Sequence, residues 1–438
     1  MRFHVVGGGL AGCEAAYRFL RSGHEVVMHE MRGVKASPCH STDGLAELVC
    51  SNSLKSEAED TASGLLKAEL RALDCMLLDV ADKCRVPAGG ALAVDREAFS
   101  EQVERRLFAF DGFSLVREEV TSFDDMQPVV IASGPLTSDA LADELARKYG
   151  AKYIGFYDAV APIVDGDSID LAHAFGASRY GRGGDDYLNC PLTRDEYYAF
   201  WRELCAAKTA TLRDFDKGGL FEACMPVEEI ARRGADTLRF GPLKAAGLKG
   251  EDGKTPFAVL QLRKENVEGA AYNLVGFQTN LTFGEQKRVF GMIPALAHAE
   301  FLRYGVMHRN TYLYAPAVMD SGFVAKDGSL VAFAGQMTGV EGYVESIASG
   351  LMAAENLRLA AEGKGRLIAP PETVIGQLQR HVARESADYQ PMNANFGLLP
   401  PLGDAPRDKK QRKLAFFERG ADAMRRFLDG ARKEEIWN

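Results

Sequence analysis

The chain has 438 residues, a formal net charge of −9 and an apolar fraction of 46 %. That length suggests about two to three domains, and the apolar share is enough for real cores. The charge gives no support to nucleic-acid binding by overall field, so such binding needs a local basic face. No run of about eighteen apolar residues offers a membrane-spanning helix.

The first thirty residues organise the rest. An apolar strand, Phe3 to Val6, runs into Gly7, Gly8, Gly9, Leu10, Ala11 and Gly12, in which Gly7, Gly9 and Gly12 keep the Gly-x-Gly-x-x-Gly spacing. Helix formers follow to Leu20, then a turn at Ser22-Gly23, then a second apolar strand ending in Glu30. This order is that of a dinucleotide-binding fold. Gly7 permits the tight turn, Gly9 lets a pyrophosphate approach the backbone, and Gly12 lets the helix pack on the strand. Exposed amides at the helix start hold the phosphates. Glu30 is placed to reach a ribose hydroxyl. The opening strand lacks the processing pattern of an export leader, which predicts a cytoplasmic protein.

A polar stretch from Arg32 to Leu48 reads as a long loop, a class that is usually functional or disordered. Leucines at 65, 66, 70, 73, 77 and 78 predict a helix over 64–78, and a further helix is expected at 96–108. Pro128 to Gly134 is a short buried strand ending in glycine, followed by a helix at 138–149. From Tyr153 to about Asn310 short strands mix with helices and polar turns, which reads as an inserted α+β domain. Its body is assigned to 187–324, between the two parts of the dinucleotide-binding domain at 1–186 and 325–438. Ser329 to Gly335 returns to a buried strand, Gln336 to Tyr343 is a glycine-rich loop containing Gly342, and a small-residue helix follows over 344–359. Flavin domains place such a late strand, loop and helix against the flavin end of the cofactor. In many of them an Asp follows the strand's last glycine; here it is Gln336. The tail from Arg407 is rich in Lys and Arg and reads as a helix, with either a solvated or a phosphate-binding face.

Eight cysteines occur without a Cys-x-x-Cys pair, so a zinc site, a thioredoxin-type motif or a disulfide framework is not expected. Most read as buried small hydrophobes. Cys224 precedes Pro226, Glu228 and Glu229, which suit a helix start, and Gly234, which suits its stop. That position favours a thiolate. Cys50, beside Ser51, Asn52 and Ser53, reads as a second candidate, also at a helix start. Ala271 to Gln286 is a strand opening into a loop of amides and hydroxyls suited to a heterocycle. Met307 to Tyr312 gathers an imidazole at His308, a guanidinium and an amide.

Val6-Gly-Gly-Gly-Leu-Ala-Gly12, Cys50-Ser-Asn-Ser-Leu-Lys-Ser-Glu57, Cys190-Pro-Leu-Thr-Arg-Asp-Glu-Tyr197, Phe221-Glu-Ala-Cys-Met-Pro-Val-Glu-Glu229, Thr237-Leu-Arg-Phe-Gly-Pro-Leu243, Gly276-Phe-Gln-Thr-Asn280, His308-Arg-Asn-Thr-Tyr312 and Phe333-Ala-Gly-Gln-Met-Thr-Gly-Val-Glu-Gly-Tyr343 occur in one order. Together they resemble the bacterial folate- and FAD-dependent tRNA (uracil-5-)-methyltransferase family, to about Gly403. The wider kin are the glucose-inhibited-division A type flavoproteins, which share the FAD half. The resemblance implies a Rossmann-like, glutathione-reductase type α/β FAD-binding domain carrying the inserted α+β domain. FAD would contact Gly7 to Gly12, Glu30, Gly134, Gly335, Gln336, Gly342 and Tyr343. It further implies 5,10-methylenetetrahydrofolate as carbon donor, FAD reduced by NADH or NADPH, Cys224 as nucleophile toward uracil, Cys50 as a second reactive cysteine near the flavin, and His308 stacked on the folate pterin. The implied target is the T-loop uridine of tRNA; ribosomal RNA is the nearest rival, and the basic tail would serve either. No metal is implied. A flavin disulfide oxidoreductase would need two neighbouring cysteines on one helix, whereas Cys39 and Cys50 are separated by loop. A non-catalytic FAD-binding partner would leave the two candidate cysteines without a role.

Overall fold

The structure, a computed structural model, describes residues 1–437 other than 38, 151–152, 182, 211–224, 251, 387–388 and 435, with the backbone alone at 153–158 and 308–311. Five parallel strands form the central sheet, in the order Val331–Phe333, Val129–Ile131, Arg2–Val6, Glu25–Glu30 and Phe113–Arg117. Apolar residues fill these strands because a parallel sheet is covered on both faces. The Leu10–Arg21 helix crosses from the first strand to its neighbour, and Phe19 stacks on Phe3 at 4.0 Å. The Tyr343–Ala361 helix lies against it, joined by a buried Arg18–Glu355 ion pair of 2.5 Å. Both helices follow a glycine-ended strand and start at the same edge of the sheet. The fold is Rossmann-like α/β.

The predicted helix over 64–78 is two helices, Ala62–Ala72 and Met76–Lys83. Asp74, at φ +56°, breaks the run between them. The break is tertiary in origin. The buried Glu14 carboxylate accepts from the Met76 and Leu77 amides at 3.1 and 3.0 Å and starts the second helix there. A run of leucines carries no sign of this. Short strands at Ser53–Ser56, Ala91–Val94 and Arg85–Val86 form a small antiparallel sheet beside these helices.

The inserted body has its own apolar core and a six-stranded antiparallel sheet. Its strands run in the order Phe175–Gly176, Tyr187–Leu192, Ala258–Lys264, Ala271–Leu274, Ile163–Asp165 and Phe301–Arg303. Ile163–Asp165 and Phe175–Gly176 fall inside the expected 1–186 stretch, yet they pair with Ala271–Leu274 and Tyr187–Leu192 and belong to the insert. Antiparallel strands Tyr153–Ala159 and Met307–Leu313 form its neck, closed by the Val160 amide donating to the Val306 carbonyl at 2.8 Å. The tail helix, Lys409–Lys433, buries Gly420, Ala423, Met424, Leu428 and Ala431 and leaves Lys409, Lys410, Arg412, Arg425 and Arg426 exposed. Among the described residues no helix is long and apolar enough to cross a membrane, and no cluster of His, Cys, Asp and Glu suits a metal.

Candidate functional site

The two helix starts open on one cleft. Gly7 bends the chain at φ +103°, where a side chain would be strained. A Cβ at Gly12 would stand 1.9 Å from the Gly7 carbonyl oxygen, so only glycine lets the helix lie this close to its strand. Around Gly9 the space is open: a Cβ there would meet nothing within 4 Å. Neither the helix starting after Gly9 nor the one starting after Gly342 has a side-chain cap. Their first-turn amides have no partner within the helix and can donate to an anion. An open space at a helix start, ringed by glycine backbone, fits the pyrophosphate of FAD.

Of the expected cofactor residues, Gly7, Gly9, Leu10, Ala11, Glu30, Gly134, Gly335, Gln336 and Tyr343 line this cleft, and so does Cys50. Gly8, Gly12 and Gly342 do not line it. Gly12 is a packing residue. Gly8 donates its amide to Glu30 Oε2 at 2.6 Å. Gly342 precedes the helix, close to the Lys55–Glu345 ion pair of 3.1 Å.

Glu30 reaches the cleft with its acceptors already engaged. Oε1 accepts from the Arg32 amide and Nε at 2.9 and 3.0 Å, and Oε2 from the Gly8 amide and Arg32 Nη2 at 2.6 and 3.2 Å. Burial would raise this carboxyl, but the Arg32 guanidinium and the two amides outweigh it and hold it below the usual carboxylate range. A ribose hydroxyl therefore has to displace or share one of four donors. In the sequence Arg32 marks only the start of the polar stretch; its place two residues after Glu30 is the one local sign of this pairing. The Glu47 carboxylate accepts from the amides and hydroxyls of Ser41 and Thr42 and orders the polar loop.

Cys50 lies in a loop that leads to the Ser53–Ser56 strand, not to a helix. Long-range contacts impose that geometry. The Tyr343 hydroxyl oxygen accepts from the Cys50 and Ser51 amides at 2.8 and 3.2 Å, and burial pushes that hydroxyl well above the usual tyrosine range. Arg96 Nη1 donates to the Leu48 and Val49 carbonyls at 2.5 and 3.1 Å. From the inserted body, Arg303 donates to the Val49 and Cys39 carbonyls at 3.1 and 2.7 Å, and Arg263 to Asn52 Oδ1 and Ser51 Oγ at 2.7 Å each. The loop is thus gripped from both bodies. No local sequence pattern announces these partners.

Five of the six other described cysteines stand apart from the cleft. Burial raises the thiols of Cys13, Cys75, Cys84, Cys190 and Cys205, that of Cys190 to about 12, and none of the five lines the cleft. High thiol pKa values keep such groups inert.

Cys224 lies outside the described residues, and His308 is described only as backbone in the Met307–Leu313 strand. The helix after Cys224 is Val227–Arg232, with Pro226 just before it and not within it. Its first amide donates to the Gln278 carbonyl at 2.7 Å, and Glu228 accepts from Thr279 Oγ1 and the Asn280 amide at 2.8 and 2.7 Å. The amide-rich loop thereby anchors the helix that follows Cys224 in the chain.

A family profile described as glucose inhibited division protein A matches residues 2–365. A Natranaerobius thermophilus protein named methylenetetrahydrofolate–tRNA-(uracil-5-)-methyltransferase TrmFO is 50 % identical over 98 % of this chain and 99 % of its own. Proteins of the same name from Desulforudis audaxviator and Aquifex aeolicus are 51 % and 49 % identical, each over 97 % of this chain and 97 % and 96 % of their own. The solved structure of Aquifex aeolicus GidA superposes with a TM-score of 0.69 at 16 % identity, over 99 % of this chain and 76 % of that one. This last likeness carries the fold. The chain belongs to the glucose inhibited division protein A family and, within it, groups with the folate-dependent tRNA (uracil-5-)-methyltransferases.

Proposed function

We infer that this chain methylates carbon 5 of uracil in tRNA, with methylenetetrahydrofolate as carbon donor and FAD as cofactor. The observation that carries this is near-full-length identity of about half to relatives bearing that name. A cytoplasmic location goes with such a substrate. The insert takes in Ile163–Asp165 and Phe175–Gly176 together with 187–324, and the FAD-binding domain holds the chain before it and 325–438.

The finer reading concerns residues. Bound FAD supplies the two electrons that turn a carbon at the formaldehyde level into a methyl group, and NADH or NADPH restores them. Gly7, Gly9, Leu10 and Ala11 would hold its pyrophosphate, and Gly134, Gly335, Gln336 and Tyr343 line the remaining cleft. Carbon 5 of uracil is a poor nucleophile. A thiolate adding at carbon 6 makes it an enolate able to attack the one-carbon unit. After transfer, carbon 5 loses its proton, the carbon–nitrogen bond to tetrahydrofolate breaks, and the two electrons delivered to the one-carbon unit make it a methyl as the thiolate leaves carbon 6. Cys224 is assigned this attack by its likeness to the family. Cys50 is the second reactive cysteine, supported by its place in the cleft wall. His308 is assigned to the folate pterin, and the T-loop uridine is the target.

The test uses tRNA carrying 5-fluorouridine, whose fluorine cannot leave as a proton does. Wild type should form a covalent complex and Cys224→Ala none, while NADPH oxidation without RNA continues in both. Trapping by Cys224→Ala but not by Cys50→Ala reverses the two assignments. A wild type that neither methylates tRNA nor retains flavin overturns the function.

A further inference from the structure

Three rings stand in register on the inserted body, outside the cleft. Phe301 and Tyr304 stack with centroids 5.1 Å apart and planes 3° from parallel, and Tyr304 and Phe283 at 4.7 Å and 14°. Phe283 ends the stack with 54 % of its surface exposed. The register is built in. Buried Gln286, on the helix that begins with Phe283, donates to the Gly305 carbonyl and accepts from the Gly305 amide, both at 2.8 Å. This ties the helix to the residue after Tyr304. Lys287, one turn beyond Phe283 and on the same helix face, is exposed. So is Lys208, whose carbonyl accepts from the Thr282 amide at 3.0 Å. Glu285, the nearest acid on the helix, is paired with Arg288 at 2.7 Å; Glu300, next to Phe301, is exposed. Arg303, between the stacked residues, is the side chain that grips the Cys39 and Val49 carbonyls of the Cys50 loop.

We propose that Phe283 is a stacking platform for an unpaired base of the RNA substrate, with Lys208 and Lys287 beside the phosphates of the same strand. The proposal rests on tRNA being the substrate and adds where part of it sits. An aromatic face beside cations is the arrangement that binds single-stranded nucleic acid, since every base has a π-face and every linkage a charge. Because two rings already stack beneath it, Phe283 is held flat and pays little ordering entropy when a base arrives. None of the three rings lines the cleft, so the aromatic parts of FAD do not account for them.

The experiment compares wild type with Phe283→Ala, Phe283→Leu and Phe283→Trp, using unmodified tRNA transcript. RNA Kd, the methylation KM for tRNA, the KM for methylenetetrahydrofolate, flavin content and oligomeric state are measured. Alanine and leucine should weaken RNA binding about 5- to 150-fold, the range of base–aromatic stacking by alanine substitution. Tryptophan should restore it, and flavin content and the folate KM should not move. Leucine binding as well as phenylalanine would overturn the stacking, as would a change confined to the folate KM or to self-association. A wild type that fails to bind tRNA sinks the function as well; one that binds while all three variants match it sinks this proposal alone.

Discussion

Gly9 and Gly12 stand three residues apart and respond in opposite ways to a side chain. A Cβ on Gly9 meets nothing, whereas one on Gly12 runs into the Gly7 carbonyl at 1.9 Å. Gly9→Asp should therefore fold with an unchanged urea midpoint once flavin is stripped from wild type, yet purify colourless, because its carboxylate occupies and repels the pyrophosphate site. Retention of the visible flavin bands would show that the phosphates lie elsewhere. Gly12→Ala should instead lose stability itself, by roughly 3 kcal/mol, as overpacking against backbone does. Tyr343→Phe removes the acceptor shared by two loop amides and costs about 1–3 kcal/mol for each donor left unpaired. Its expected result is a yellow protein whose methylation rate falls and whose Cys50 reacts with iodoacetamide at a changed rate.

At the scale of elements, buried carboxyls start helices, Glu14 where no side-chain cap exists and Glu69 beside the Thr373 cap. Glu14 begins the Met76–Lys83 helix, and Glu69 accepts from the Val374 and Ile375 amides at 2.8 and 2.9 Å to begin Val374–Ala383. Burial raises the Glu69 carboxyl to about 8 despite those two amides. The folded state therefore binds a proton that the unfolded chain, near the ordinary glutamate value, gives up. This contribution is fully present below about pH 4.3 and is lost as pH rises through about 8. Thermal unfolding of wild type should shift downward between pH 6 and pH 9 by more than that of Glu69→Gln, whose amide oxygen keeps one of the two bonds and whose side chain does not titrate. Parallel pH profiles for the two proteins would show that Glu69 does not hold a proton in the folded state.

At the scale of the molecule, the two bodies meet over the Cys50 loop through Arg263 and Arg303. Each body has its own core, so the contact orients one against the other. Arg303→Met should keep flavin and the fold while methylation falls on the order of 10- to 100-fold, the scale of a small misplacement of reacting groups. NADPH oxidation measured alongside separates this from damage to the flavin site: a parallel loss in both would assign Arg303 to general stability.

What the sequence alone determined lies within short spans of chain. Gly7, Gly9 and Gly12, the strands leading to Gly134 and Gly335, and the helices Leu10–Arg21, Arg96–Phe108 and Tyr343–Ala361 were legible to within a few residues because φ limits, side-chain periodicity and capping act over a few residues. Family likeness gave Cys50, Cys224 and His308 their roles, and of the three Cys50 lines the cleft among the described residues. Tertiary structure decided the rest. The break at Asp74 answers to Glu14, the strand after Cys50 answers to Tyr343, Arg263 and Arg303, and the insert's strand at Ile163–Asp165 answers to Ala271–Leu274. In each case a hydrogen-bonding group from a distant part of the chain satisfies the local backbone better than the local pattern does. Buried amides and carbonyls must be paired with whatever the fold brings to them.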